Sequence, residues 1–556
     1  MRRIDARDHA LGAALAGSYV FSLYRTCKNL GFSRDESFYF DAGGRYSAWF
    51  KLLFDGTKGA TLPGTVDAYW GTNHEHPALA KSAFALSYLF LHQKWKWIEQ
   101  ASQAFRLPGM LFAGLAVFVV YLFGARLFSR TSGAFGAIAF ALIPRVFYHS
   151  HLACFDVPAT AMWGLALYTY FDATQQRTLR SAILFGLVYG LFLETKHNAW
   201  LMPGVFLPHA LWVYGRERGS WKRRVPWPLV TMGTLGPAVF VGMWPWLWHD
   251  TVPRIREYAS FHLNHVYYNM EFLGKNYDRA PSPPAFAPVM IVATVPTIFL
   301  VLAAIGMAPW AMRVVSYLAS QVRKLVGKAG SLEGAPRDGE LLLFLGFVVP
   351  IAVFFLPKTP IFGATKHWMP AYVTLAVFAG RGFAGLAALL TRFAMATKNR
   401  SKNARAAKVA LLGAVLLLGP VLVTSHSHPF GLSTYVPFVG GTRGGASLGL
   451  NRQFWGFTTQ SLAPYLASHA RPGESIYIHD TTMGAYATLQ AEGRIRSDLA
   501  GNTWSISDAD LAIYHHELHM LIAEVNMMTA YRTATPAYVL EHDGVPIITV
   551  YSRRPR

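Results

Sequence analysis

The sequence predicts an α-helical polytopic membrane protein of about eleven transmembrane helices, followed by a small C-terminal α/β domain outside the cytoplasm. Three features point there. Hydrophobic residues make up 53% of the 556-residue chain and charged residues only 15%, with a mean hydropathy of +0.25, a balance that soluble domains rarely show. The apolar residues fall into separate runs of roughly membrane-crossing length. The net charge of +21 is gathered in short clusters between those runs, as in chains that orient themselves in a bilayer. That distribution argues against a nucleic-acid partner. Two cysteines, Cys27 and Cys154, leave no room for a disulfide framework or a cysteine metal site.

The runs lie near 9–25, 107–125, 131–148, 155–171, 181–193, 199–214, 227–248, 285–312, 341–356, 370–390 and 408–424. The first begins basic and lacks a small-residue cleavage site, so it reads as a retained span and not a removed signal. A twelfth stretch, 78–93, is short and carries Lys81; it reads as an amphipathic helix lying at the interface. Charge supports that choice. With the N-terminus inside, the cytoplasmic segments 1–8, 126–130, 172–180, 215–226, 313–340 and 391–408 hold 23 Lys or Arg in 80 residues. The short outer connections 149–154, 194–198, 249–284 and 357–369 hold 7 in 60. Counting 78–93 as a span would invert this asymmetry, against the tendency of basic residues to stay inside. The organisation expected is therefore a membrane domain, 1–424, with a large outer loop at 26–106, and an outer domain, 425–556, in a multi-pass protein of the plasma (inner) membrane.

The tail from 425 carries nine Arg, no Lys and ten acidic residues, unlike the basic inner segments. SIYIHD (475–480), DLAIYHH (510–516) and AYVLEHDGVPIITVYS (537–552) read as strands, the last a hairpin about Asp543-Gly544. Helices are expected near 458–469 and 517–530. No internal repeat or low-complexity tract is evident.

Candidate chemistry collects at the outer ends of the spans. Asp35 and Glu36 follow the first span directly. A carboxylate there can take the proton of an attacking hydroxyl, or hold a divalent cation against a leaving phosphate; equally, both can be ordinary solvated acids. In Asn73-His74-Glu75-His76-Pro77 the two histidines, at i and i+2, cannot share a helical face, so His76 and Lys81 are better read as meeting an anionic head group. Asp156, two residues before Pro158, is either a helix start signal or a functional acid at the membrane edge. Lys196, at the outer end of its span, is costly without a partner or a wet cavity. Lys275, Asp278 and Arg279 stand in an aromatic-rich outer loop, and Lys366-His367 precede another span. Cations gathered on one face make a site for a phosphate, or for lipid head groups.

The order of these motifs resembles the family 39 C-fold (GT-C) glycosyltransferases, which include protein O-mannosyltransferases and lipid A aminoarabinose transferases. The resemblance rests on Asp35-Glu36-x-x-Tyr39, on HPALAK (76–81), on Arg106-Leu107-Pro108, on Pro144 and Asp156, and on Lys196 closing GLFLETK; it spans about 10–425. It implies a GT-C-like fold, a polyprenyl-phosphate sugar donor, inversion at the anomeric carbon, and an envelope lipid, glycan or protein acceptor. It makes Asp35 the base or acceptor-organising carboxylate. Glu36 and Asp156 become supporting acids, with a divalent metal among Asp35, Glu36 and Asp156 as a further reading. His76, Lys81, Lys196, Lys366 and, with the loop cations, Lys275, Arg279 and His367 would serve the carrier phosphate. The chain departs from the family pattern at Lys366, where Arg is expected, and at Ala78, where a second Pro is expected. The competing class is a transporter or flippase of a lipid-linked or anionic substrate, which would place its polar residues near the midplane on broken helices within internal repeats. Here they lie at outer span edges.

Overall fold

The computed structural model describes residues 2–217, 219–325, 337–361, 363–394 and 402–554; parts of the expected cytoplasmic segments at 215–226, 313–340 and 391–408 lie outside these. Helix occupies every one of the eleven apolar runs. Five helices are long and apolar enough to cross a membrane: Ala101–Leu127, Thr297–Lys324, Asp338–Phe355, Pro370–Thr391 and Asn403–Ser427. This is a multi-span membrane protein. Leu179–Leu193 and Trp227–Met243 are shorter apolar helices.

Two of the runs are broken where proline dictates. Arg130–Ala141 stops before Ile143, whose extended backbone (ψ 117°) leads into Pro144 and a second helix, Pro144–His149. Phe286–Thr294 ends likewise at Val295, extended ahead of Pro296, and the chain resumes as Thr297–Leu325. Proline disfavours the helical region in the residue before it, so each break is written locally. The bundle centres on Ala101–Leu127 and Pro370–Ala394. The latter lies against Arg130–Ala141 and Thr297–Leu325 so closely that Gly306, Gly380 and Gly382 face carbonyl groups of the neighbouring helix where any side chain would collide. Small residues serve this purpose where lipid supplies no hydrophobic drive to pack.

The outer segment 26–106 is largely helical. Arg34–Phe54, Pro63–Trp70 and Ala78–Ser87 fill it, the last continued by a π-helical stretch, Tyr88–Lys94. Ala78–Ser87 buries Ala80, Lys81, Phe84 and Ala85 and packs against Arg34–Phe54 and Ala101–Leu127.

The strands expected in the tail are present as β3 (Ser475–Ile478), β5 (Leu511–His515), β6 (Tyr538–His542) and β7 (Val545–Ser552), joined by an unforeseen β4 (Ala500–Asn502) in the order β4-β3-β5-β7-β6. A separate hairpin pairs β1 (Met270–Phe272) with β2 (Lys275–Tyr277). β3 runs parallel to β4 and β5, while β7 runs antiparallel to β5 and β6. The helix Asp480–Ala491, also unforeseen, seats on Arg34–Phe54. Phe32 joins Ile476, Ile478, Leu489 and Ile513 in one apolar core. The tail thus rests on the segment that leads from the first helix into Asp35.

Candidate active site

The segment 30–36 is fixed by one buried ion pair. Ser33 caps the helix Arg34–Phe54, and its N–H donates to Glu36 Oε2 at 3.0 Å, half of a capping box. Arg106 grips the same carboxylate with both arms, Nε to Oε1 at 2.7 Å and Nη2 to Oε2 at 2.8 Å. It also donates to the carbonyls of Leu30 at 3.1 Å and Gly31 at 2.6 Å, and the Ala153 N–H donates to Glu36 Oε1 at 3.0 Å. Both side chains are wholly buried. Glu36 therefore has no lone pairs to spare for substrate or metal: it ties the start of Arg34–Phe54, Ala101–Leu127 and the 152–155 loop together. One residue back, about 100° around the helix, Asp35 faces a cavity.

That cavity has a volume of about 720 Å³ and is lined by Asp35, His76, Asp156, Lys196, Lys366 and His367 among others. Six of the ten residues singled out in the sequence thus converge from positions spread over more than three hundred residues. Two ammonium–carboxylate pairs organise it. Lys196 Nζ donates to Asp156 Oδ1 at 2.6 Å, and His149 Nδ1 stands 3.7 Å from Asp156 Oδ2. Lys366 Nζ donates to Asp35 Oδ2 at 3.3 Å and sits 3.9 Å above the ring of Trp455. Both carboxylates occupy the first turn of their helices, where the macrodipole favours an anion. Lys366 is held in a short 3-10 turn, Ala364–His367, entered through Gly363 at φ 69°. A side chain at Gly363 would meet the Lys366 methylenes as they fold back.

His76, His197 and His262 form a third group, with ring centroids 5.7 Å apart for His76–His262 and 4.2 Å for His197–His262. The His262 ring bonds to the Glu75 carbonyl at 2.9 Å. Burial holds His76 and His197 well below the ordinary imidazole value and takes His262 down to about 4, the neighbouring cations adding to it. His149 drops to about 3 for the same first reason. At neutral pH these rings are uncharged. The positive charge of the cavity comes from its lysines and from Arg34.

The neutral rings make stability depend on pH. The unfolded chain binds protons at these histidines below about pH 6.5, whereas the folded chain resists until lower pH, so their contribution is complete above 6.5 and is lost as pH falls through the folded values. Glu194 and Glu517, whose buried carboxyls are pushed up, work in the opposite direction. A difference measurement separates the two. His197→Gln is expected to flatten the dependence of melting temperature on pH between 6.5 and 4.5, relative to the parent chain, because it removes one titrating ring and leaves the acids alone. Parallel profiles would show that His197 does not titrate as its burial requires.

The remaining sequence candidates lie elsewhere. Lys81 is buried behind the cavity wall, with Nζ donating to the Asn73 carbonyl at 2.5 Å and lying 5.1 Å from the Tyr46 ring centroid. Burial brings its pKa down to about 7, and it braces the turn that presents His76 instead of meeting a head group itself. Lys275 and Arg279 are a correction as well. The tight turn at Leu273-Gly274 (φ 50° and 76°) aims Lys275 outward, and Arg279 is 91% exposed. Neither lines the cavity. His74 and His76 stand in a turn and diverge, His74 turning to Glu257 at 2.9 Å. The carboxylates of Asp35, Glu36 and Asp156 each hold a separate cation, so this trio does not fit a shared divalent metal. The cavity also receives Asn451, Trp455, Thr481 and Glu517 from the tail. None of these was singled out in the sequence.

Residues 83–246 match the profile of the dolichyl-phosphate-mannose-protein mannosyltransferase family; the chain is similar to that family over this stretch, which holds Arg106, Pro144, Asp156 and Lys196. Among solved structures, the chain is similar to ArnT from Cupriavidus metallidurans bound to undecaprenyl phosphate, with 14% identity, 97% of each chain covered and a TM-score of 0.44. It is similar to the oligosaccharyltransferase AglB from Archaeoglobus fulgidus in complex with an inhibitory peptide and a dolichol-phosphate, with 11% identity, 94% of this chain and 72% of that one covered, and a TM-score of 0.47. For the arabinosyltransferase EmbB from Mycobacterium smegmatis the values are 11%, 93%, 45% and 0.41. No curated protein matches the chain.

Proposed function

We propose that this chain is an inverting membrane glycosyltransferase that moves a sugar from a polyprenyl-phosphate carrier to an envelope lipid, glycan or protein. One observation carries the reading: Asp35 and Asp156, each bearing a lysine, share one cavity with a group of neutral histidines. Its volume lies within the range of small-molecule sites, about 300–1,000 Å³. The similarity of residues 83–246 to the mannosyltransferase family supports the same reaction class.

The chemistry follows from the pairing. A carrier phosphate entering the cavity competes with the carboxylates for the Lys196 and Lys366 ammonium groups. Lys366 turning toward phosphate leaves Asp35 with an unshared oxygen pair. The acceptor hydroxyl, positioned beside it, gives its proton to Asp35 as its oxygen attacks the anomeric carbon. The bond from that carbon to the phosphate oxygen breaks on the opposite face, and the departing phosphate is held by the lysines. Lys196 is oriented for this by Asp156, and Asp156 in turn faces His149. In this reading the eleven helical runs all span the membrane, the N-terminus is cytoplasmic, and the tail domain closes the cavity on the outer face through Trp455 and Glu517.

The test uses purified chain in nanodiscs with a panel of polyprenyl-phosphate sugars, read by mass spectrometry for loss of sugar from the carrier, together with envelope glycans from a deletion strain. Donor consumption and a missing envelope sugar are expected. Translocation of the lipid with its sugar intact would point to a flippase instead. A reporter fused after Arg400, which lies outside the described residues, should give a cytoplasmic signal, and one fused after Arg471 an outer signal. The reverse pattern would overturn the orientation.

A further inference from the structure

We propose that His426, His542 and Asp543 form a zinc site, separate from the cavity, that clips the outer end of the helix Lys402–Ser427 to the β6–β7 turn of the tail. One ligand atom from each lies within 4.8 Å of the others. His426 Nε2 is 2.7 Å from Asp543 Oδ1, His542 Nε2 is 3.7 Å from Asp543 Oδ2, and the two imidazoles stack with centroids 5.4 Å apart. Two imidazole nitrogens and a carboxylate oxygen are a ligand set that zinc takes readily, with water completing a tetrahedron. None of the three lines the cavity.

The surroundings are those of a held ligand set. The Thr442 hydroxyl donates to Asp543 Oδ2 at 2.6 Å, and Arg443 Nε donates to the Asp543 carbonyl at 2.6 Å. Such outer contacts fix the direction of a metal-binding carboxylate. Asp543 sits at φ 55° in its turn, so its position is set by the hairpin and not by a swinging loop. The Thr434 hydroxyl meets His542 Nε2 at 2.9 Å, and a metal would replace that contact and the His426–Asp543 hydrogen bond. His426 is largely exposed, which leaves it free to move the few tenths of an ångström that a metal centre requires.

The clip has a mechanical reason. Only 6% of the apolar window of Asn403–Ser427 is buried within the protein, against 72% for Ala101–Leu127. A helix so lightly packed is held mainly by its ends. Two parts of the chain distant in sequence meet at this end: the helix terminus with the 434–443 stretch that follows it, and the β6–β7 turn. A metal bond would close them without any apolar contact.

The experiment is zinc titration of the full chain in nanodiscs after removal of metal with EDTA, following bound zinc by elemental analysis and melting temperature by scanning fluorimetry. His426→Ala alters an exposed side chain, and Asp543→Asn keeps a residue that tolerates a positive φ. The parent is expected to bind one more equivalent than either variant, or to bind it at least about 10-fold more tightly, and to melt higher with zinc while the variants do not. Comparing variants with the parent cancels any zinc taken by the cavity histidines, which are untouched. Equal zinc binding and equal melting shifts in parent and variants would overturn the proposal, as would a parent that binds no zinc.

Discussion

Asp35→Asn is expected to lower the rate of sugar transfer by about 10²- to 10⁴-fold, the usual worth of a general base, while the protein inserts and melts as the parent does. Two facts make the effect specific to chemistry. The side chain of Asp35 is 23% exposed to the cavity, and the amide isostere keeps an oxygen that can accept from the buried Lys366 ammonium. The ion pair it gives up with Lys366 is long, 3.3 Å, and its carboxylate side opens to the cavity, so the charge lost is partly replaced by the amide dipole and cavity water. What is lost is the ability to accept a proton. The measurement is turnover of lipid-linked donor against melting temperature for parent and variant in the same nanodiscs. Donor affinity should hold or rise slightly, because Lys366 is freed for the phosphate. Full turnover in the variant would remove Asp35 from the reaction and leave Asp156 as the acid to examine.

The neighbouring residues Asp35 and Glu36 show where sequence reasoning reaches and where it stops. That acids stood at the outer edge of a span was legible, because an ionisable group at that depth needs a reason. Which of the two faces substrate depends on helical phase, and so on where the helix begins. Ser33-Arg34-Asp35-Glu36 carries the sign, since Ser three residues ahead of Glu is a capping box, and it assigns Glu36 to the backbone. Its other partner, Arg106, was visible only as part of a motif: nothing in the chain says that a guanidinium seventy residues on will close over that carboxylate. Lys275 and Arg279 misled for a related reason, as charge in a loop does not disclose whether a two-strand hairpin turns it outward. The helical runs were legible from hydropathy, but 131–148 and 285–312 were read as continuous, although Pro144 and Pro296 carry the signal for their breaks. His262, Trp455 and Glu517 were not legible as site residues. They reach the cavity through tertiary packing of the helix Thr251–Leu263 and of a tail whose near-neutral composition discloses none of its contacts.

Arg106→Leu is expected to destabilise the protein by about 3–5 kcal/mol, the cost of leaving a buried charge without its partner. The magnitude follows from the absence of any substitute. Glu36 is fully buried and receives two hydrogen bonds from Arg106 alone, and water has no access to replace them. The carbonyls of Leu30 and Gly31 lose their donors in the same step. Glu36→Gln tests the pair from the other side. The amide oxygen still accepts from a backbone N–H, but Arg106 keeps a charge with nothing opposite it, and a loss of similar size is expected. Activity should fall in both variants along with the melting temperature, because the segment 30–36 that aims Asp35 is no longer pinned to Ala101–Leu127. This separates the adjacent acids by signature: at position 35 turnover falls with the fold intact, while at position 36 the fold and turnover fall together. A double variant, Glu36→Gln with Arg106→Leu, should cost less than the sum of the two single changes, since it leaves no buried charge behind. If Arg106→Leu melts with the parent, the ion pair is not what holds the segment 30–36 to Ala101–Leu127, and the placement of Asp35 needs another cause.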